Sequence, residues 1–219
     1  AGQNTHRLSI EWSRVQPEEN RWDEHALDNY RQMVRGLSER GLKPMVTIHH
    51  FSDPLWLMHL GGWEHEHIVQ YFEAYSRKVV DALGDYVDFW CTINEPNVYA
   101  VMSYLFGEFP PGKKDLGACY RVMVNLVRGH AAAYHAIHEM QPQARVGMAH
   151  QYRGILPAHK RSPLDVILAN TLSRVFNDFF PRAAADGVIR FFTKKESIPQ
   201  ARGTQDYLIK EVQSIYASQ

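Results

Sequence analysis

Asn94 and Glu95 place an amide and a carboxyl side by side at the end of the apolar run Val87-Asp88-Phe89-Trp90-Cys91, and Pro96 follows them directly. Proline has no backbone N–H to give to a sheet and stops a strand from continuing, so the pair is expected at a strand's C-terminal end. Glu95 is the first candidate for chemistry, as a titratable group with a hydrogen-bonding neighbour. Adjacent residues of a regular strand point to opposite faces. If both Asn94 and Glu95 reach one pocket, the chain must bend or bulge there, as strands often do beside active sites. On turn chemistry alone, Asn-Glu-Pro reads as an ordinary polar turn, so the weight falls on what surrounds it.

The elements that would position this pair are short apolar strands alternating with long amphipathic helices, the pattern of β/α units on a parallel sheet. Arg7-Leu8-Ser9-Ile10-Glu11-Trp12 reads as the first strand. Asp23 can cap a helix carrying Leu27, Tyr30, Val34 and Leu37, which Gly41 ends. Met45 to His49 reads as the second strand, and a helix with Ile68, Phe72, Tyr75, Val79 and Leu83 follows Gly61-Gly62-Trp63. The third strand ends at Glu95. A helix is expected from Leu116 to Met140, a strand from Arg145 to His150, a helix from Leu164 to Phe180 and a last strand near Asp206-Tyr207-Leu208. The strand ends then hold Glu11, His49-His50, Asn94-Glu95 and His150-Gln151, as when active-site groups gather at the C-terminal face of a (β/α) barrel. No Gly-rich phosphate-binding turn occurs, which argues against a doubly wound nucleotide-binding sheet.

Composition narrows the partners. The 219 residues are 45% hydrophobic and 22% charged, an ordinary globular composition. Lys plus Arg and Asp plus Glu both number 24, so no net field selects nucleic acid or an anionic lipid surface, and a neutral polar ligand fits better. No segment has the length and apolarity of a membrane span. Cys91 and Cys119 sit in an apolar strand and a helix, as small buried hydrophobes do, so a reducing compartment, the cytoplasm, is expected. The first residue is Ala1, and the chain is expected to begin inside a longer protein.

Five motifs in order, Arg7 to Arg14, Thr47-Ile48-His49-His50-Phe51, Gly61-Gly62-Trp63, Thr92-Ile93-Asn94-Glu95-Pro96 and Phe109-Pro110-Pro111-Gly112, resemble glycoside hydrolase family 1, the β-glucosidase and β-galactosidase family. The resemblance runs to about Leu208. It implies a partial (β/α)8 TIM barrel of about five β/α units with parallel strands over residues 1–208. It also implies a retaining hydrolase of terminal β-linked sugars that needs no cofactor or metal and takes a small β-glycoside or oligosaccharide as substrate. In such enzymes one carboxylic acid protonates the leaving oxygen and a second carboxylate attacks the anomeric carbon. By resemblance, Glu95 is the acid/base, Asn94 the ligand of the 2-hydroxyl, and His50 a sugar-hydroxyl ligand. Phe51, where the family usually has Trp, offers an apolar wall, and Arg7 is the arginine beside the nucleophile.

The sequence also departs from the family. No Glu-Asn-Gly, the family's nucleophile motif, occurs in the chain, and the glycone-binding Gln of the family's first strand is missing. Residues 209–219, beginning Ile209-Lys210-Glu211, are expected to be a tail that does not match, as in a truncated product, a gene fragment or a shifted frame. The isolated chain is therefore expected to be inactive or nearly so. It is also expected to expose sheet edges that favour self-association or a complementary half barrel.

Alternatives remain open at this level. His49-His50 and His65-Glu66-His67 could bind metal, although no H-E-x-x-H is present and His135 and His138 read as helix-surface residues. Glu11, on the same face as Arg7 and Ser9 if the first strand is regular, could instead be the second carboxylate of an inverting pair. Trp12, Trp56 and Trp63 could stack on sugars in a catalytically silent carbohydrate-binding or scaffold remnant, or could simply pack the core.

Overall fold

A computed structural model of the protein describes residues 2–213, with side chains as far as Glu211. Its strands are β1 (Thr5–Ser9), β2 (Lys43–His49), β3 (Phe89–Asn94), β4 (Arg145–Arg153), β5 (Val188–Phe191), β6 (Lys194–Ser197) and β7 (Tyr207–Gln213). A five-stranded sheet has the order β1-β2-β3-β4-β7, and every neighbouring pair in it is parallel. The C-terminal ends of these five strands therefore lie along one edge, as a sheet of β/α units requires.

Among the described residues, eight α-helices connect the strands: α1 (Trp12–Val15), α2 (Glu24–Glu39), α3 (Leu55–Leu60), α4 (Ile68–Leu83), α5 (Pro96–Ala100), α6 (Leu116–Met140), α7 (Pro163–Ser173) and α8 (Phe179–Asp186). Two of the long helices start at aspartate caps. The Asp23 carboxylate accepts from Ala26 N and the Asp115 carboxylate from Ala118 N, both at 2.9 Å, satisfying backbone donors that the first helical turn leaves free. Helices α2, α4 and α6 pack in series, with α2 against β2 and α6 against β3. Leu27, Val34, Phe72, Val79, Val122 and Leu126 meet Val46, Ile48, Trp90 and Val146 there, all essentially without solvent contact. Burying each such side chain is worth about 1.5–3 kcal/mol, and a one-residue slip of a strand would turn its apolar set the wrong way. This burial is what holds the register.

Two expected elements are reshaped by packing. The first strand ends at Ser9 rather than running to Trp12. The Trp12 ring turns inward to stack on Tyr75 at 4.6 Å and 3° between planes, and its Nε1 donates to Gln16 Oε1 at 2.8 Å, closing a helical turn. The single helix expected from Leu164 to Phe180 is divided into α7, a π-helical turn over Arg174–Asp178, and α8. The wide turn carries Asn177 to the end of β4, where its Oδ1 accepts from Arg153 N at 2.9 Å and its Nδ2 donates to Arg153 O at 2.8 Å. The antiparallel hairpin of β5 and β6 lies outside the main sheet.

Strand β7 continues from Tyr207 through the stretch beginning at Ile209 to Gln213, paired with β4 throughout. The rest of the expected tail, 214–219, lies outside the described residues. Gly147 makes the close approach to β7 feasible, since a Cβ there would fall 2.2 Å from the Tyr207 carbonyl oxygen. Asp206 fixes where β7 starts, accepting from Val146 N at 2.8 Å, Tyr134 Oη at 2.8 Å and His138 Nε2 at 3.0 Å. His138 is thus an anchor rather than a free surface residue, and His135 similarly meets the Gln200 carbonyl at 2.9 Å.

Two further histidines are buried within this frame. His130 Nε2 donates to the Thr204 carbonyl at 2.6 Å while Thr92 Oγ1 lies 2.7 Å from its Nδ1, and His150 Nε2 donates to the Asn177 carbonyl at 2.9 Å. Burial, partly offset by these carbonyls, pushes both imidazoles down to about 4 from the ordinary 6.5. Unfolded histidines take up protons below 6.5 that the folded ones refuse until about 4, so stability is lost as pH falls through that window. The loss is on the order of 3 kcal/mol for each residue. In a Glu95→Gln variant, which removes a carboxyl titrating with the opposite sign, the urea midpoint is accordingly expected to be lower at pH 5 than at pH 7, and an equal or higher midpoint at pH 5 would show that these imidazoles ionise freely in the fold.

Candidate active site

The bend that Asn94 and Glu95 require is present. The β3–β4 register shifts between Cys91 and Asn94, and Glu95 takes a left-handed backbone conformation, φ 41 and ψ 58. A non-glycine residue held there costs on the order of 1 kcal/mol or more and persists only when its surroundings enforce it. Glu95 N donates to the Ala149 carbonyl at 2.7 Å, and Pro96 starts α5 immediately after it. Beneath this bend, Asp53 accepts from Trp63 Nε1 at 3.0 Å and Tyr99 Oη at 2.5 Å and lies 3.1 Å from His49 Nε2, tying the end of β2 to α5.

Arg7 joins the strand ends across the sheet. Its Nε donates to Thr47 Oγ1 at 2.9 Å, its Nη1 to Glu211 Oε1 at 2.6 Å, and its Nη2 to Asn94 Oδ1, with Cys91 Sγ 3.8 Å away. Side chains from β1, β2, β3 and β7 therefore meet at one guanidinium, and the sheet must curl for its first and last strands to do so. His50 is exposed beside this cluster with its Nδ1 2.7 Å from Ser9 Oγ. Partial desolvation of the ring first, then the Arg7 charge, holds the His50 imidazole below its ordinary value. Phe51, also left-handed at φ 69, sets its ring 5.1 Å from that of His50 and 5.8 Å from Phe109.

The two carboxyls of the cluster are driven apart in acidity. Burial, then the hydrogen-bonded and like-charged Glu211 carboxyl, push Glu95 up to about 7, against the opposing pull of Arg7 and Arg153. Burial alone would raise Glu211 too, but the hydrogen bonds from Glu95 and Arg7 outweigh it and leave Glu211 below the usual carboxylate range. Below about pH 7, Glu95 is predominantly a proton-bearing acid while Glu211 is a carboxylate. The stability that Glu95 contributes is present below the ordinary carboxylate value and lost as pH rises through about 7, opposite in sign to the buried histidines.

Arg7, His50, Phe51, Asn94 and Glu95 thus come together at one end of the sheet. Other sequence candidates fall elsewhere or into packing roles. Glu11 neither extends the first strand nor pairs with Arg7: its carboxylate accepts from Ser13 Oγ at 2.9 Å and Ser52 Oγ at 2.8 Å. Trp12 and Trp63 are buried in the core, and Trp56 spends its Nε1 on the Gln16 carbonyl at 2.9 Å. Glu211 is the functional residue that the sequence does not announce, because the stretch from Ile209 departs from the family pattern. The available signal was period-two continuation of the strand from Tyr207, which carries Glu211 to the same strand-end level as Glu95.

The sequence model described as Glycosyl hydrolase family 1 matches residues 1–210. The chain belongs to glycosyl hydrolase family 1. It is 34% identical over 179 residues to β-glucosidase A of Thermotoga maritima, covering 81% of this chain and 40% of that protein. It is 35% identical over 150 residues to human cytosolic β-glucosidase, covering 67% of this chain and 32% of that one. Among solved structures, a β-glycosidase from Pyrococcus horikoshii superposes with a TM-score of 0.88 at 36% identity, covering 95% of this chain and 48% of that chain. The Thermotoga maritima β-glucosidase in complex with deoxynojirimycin gives 0.79 at 32% identity, covering 85% and 42%. The family 1 chain spans less than half the length of these relatives. Its five parallel strands are a partial (β/α)8 barrel.

Removing the Arg7 guanidinium would strip partners from the Asn94 amide, which is 3% exposed, and from fully buried Thr47, and would leave Glu211 without its cation. Arg7→Ala is expected to lower stability in urea denaturation by about 2 kcal/mol or more. Arg21→Ala, which breaks a pair with Glu18 that is more than half exposed on both sides, is expected to cost roughly 0.5 kcal/mol or less. Equal costs would contradict the central place given to Arg7.

Proposed function

We propose that this chain carries the proton-donor part of a retaining β-glycosidase site, β-glucosidase-like, that takes terminal β-linked sugars of small glycosides or oligosaccharides. The observation that carries this reading is the Glu95 carboxyl, pushed up to about 7 at a strand end where Arg7, Asn94 and His50 converge. An acid so poised gives its O–H proton to the glycosidic oxygen as the bond to the anomeric carbon breaks, and then takes a proton from the incoming water. Arg7 occupies Asn94 Oδ1, which turns the Asn94 Nδ2 hydrogens toward a sugar's 2-hydroxyl, a contact that strengthens in an oxocarbenium-like transition state. His50 has Nε2 free of the Ser9 contact for a second hydroxyl, and Phe51 supplies an apolar wall for the ring. Deoxynojirimycin on the Thermotoga maritima relative agrees with a sugar-sized ligand.

Double displacement also needs a carboxylate about 5–5.5 Å from the acid to attack the anomeric carbon. With no Glu-Asn-Gly in the chain, we assign that group to a part of the barrel outside this sequence and expect the chain alone to hydrolyse glycosides poorly or not at all. The edges of the sheet at β1 and β7, with Leu164, Ile167 and Leu168 of α7 exposed, suit a complementary half barrel or a second copy. Free, buried Cys91 and Cys119 suit the reducing cytoplasm.

Purified chain is expected to turn over an aryl β-glucoside no faster than its Glu95→Gln variant. Mixing it with the C-terminal half of a family 1 relative is expected to bring hydrolysis that Glu95→Gln abolishes. Full turnover by the chain alone would overturn the incomplete-site reading, and hydrolysis in the mixture that is untouched by Glu95→Gln would overturn the role of Glu95. In sedimentation velocity the chain is expected to form species heavier than a monomer. A monomer at all concentrations would remove the self-association.

A further inference from the structure

Glu211 has no role in the sequence reading, yet the fold brings it to the centre of the site. In the β4–β7 ladder Glu211 lies opposite Gln151, two residues beyond Ala149, whose carbonyl receives Glu95 N–H. Strand β7 therefore delivers a carboxyl to the level at which β3 delivers its own. One fork of Arg7 holds Glu211 at 2.6 Å and the other holds Asn94, the residue before Glu95. Arg7 from β1, His50 after β2, Cys91 of β3 and Arg153 of β4 are the charged and titratable groups facing the two carboxyls.

Two carboxyls in hydrogen-bond contact cannot both ionise without strong repulsion, so such a pair retains a proton. The asymmetry of the surroundings decides where it sits, because Arg7 bonds directly to Glu211 and favours its charged form. We infer that Glu211 is a positioning residue for Glu95: the two side chains share one hydrogen, with Glu211 ionised against Arg7 and Glu95 donating to it. This inference rests on the reading of Glu95 as the proton donor. The raised acidity constant of Glu95 and the depressed one of Glu211 agree with it.

A nucleophile must stand about 5–5.5 Å from the acid to leave room for the anomeric carbon, whereas a hydrogen shared between Glu95 and Glu211 holds the two carboxyls closer than that. In the empty site Glu211 instead takes the place that a glycosidic oxygen takes in the loaded one, as the acceptor of the Glu95 proton. A bound glycoside redirects that hydrogen from Glu211 to its own leaving oxygen, so the acid is kept protonated and aimed before substrate arrives.

The test is a pH titration of glutamate carboxyl carbons by NMR, without glycoside. One resonance is expected to titrate near 7 in the chain and to vanish in Glu95→Gln. In Glu211→Gln, with folding checked by amide spectra, its midpoint is expected to move down by about one pH unit or more as the like charge is removed. A midpoint left in place would assign the shift to burial alone and overturn the inference. In the unmodified chain the Glu211 carbon is expected to shift at the Glu95 midpoint as well, because the hydrogen is shared. Independent titration of the two carbons would overturn the inference without recourse to any variant. If the coupled titration holds while Glu95→Gln leaves hydrolysis by the reconstituted barrel intact, the pair stands and the glycosidase reading falls. If hydrolysis needs Glu95 but Glu211 titrates alone, the reverse follows.

Discussion

One guanidinium, that of Arg7, holds the site together. A parallel sheet by itself brings strand ends to a common edge but does not require the first and last strands to face each other. The contact of Arg7 with Glu211, spanning 204 residues of sequence, and its contacts with Thr47 and Asn94 require that curl. Arginine suits the place because its planar fork satisfies several acceptors at once and stays charged at every relevant pH. The apolar layer between the sheet and α2, α4 and α6 supplies the stability, while Arg7 determines which polar groups meet inside the curve.

The electrostatics of the site follow from Arg7 bonding directly to only one of the two carboxyls, Glu211. This leaves Glu95 without a cation of its own, so burial and then the hydrogen-bonded, like-charged Glu211 raise Glu95 to about 7. The strained backbone of Glu95 serves the same end, since only the left-handed turn after Asn94 lets two consecutive residues address one pocket. Buried neutral His130 and His150, with their carbonyl partners, lock the walls around this feature without adding charge to it.

Much of this was legible in the sequence wherever the determining interaction is local. The cap at Asp23, the Leu116–Met140 helix and the turn at Gly41 all depend on neighbours within a few residues. Strand alternation requires a bend at Asn94-Glu95 once both residues face one pocket, and the ordered motifs gave the family. What escaped was non-local. Trp12 leaves the first strand because Tyr75 receives its ring. The π-helical turn exists because Asn177 bonds Arg153, 24 residues earlier. Glu211 stayed hidden because its partners are at the other end of the chain and its surrounding residues depart from the family pattern, although the strand continues through them.

The central claim is that Arg7 divides one proton between two carboxyls so that Glu95 carries it below about pH 7. Neutron diffraction from deuterated crystals near pH 6 addresses this directly. The account predicts a deuteron bonded to a Glu95 carboxyl oxygen and directed at Glu211, with the Arg7 fork spanning Glu211 and Asn94. A bare Glu95 carboxylate, or an Arg7 side chain turned away from Glu211, would contradict it.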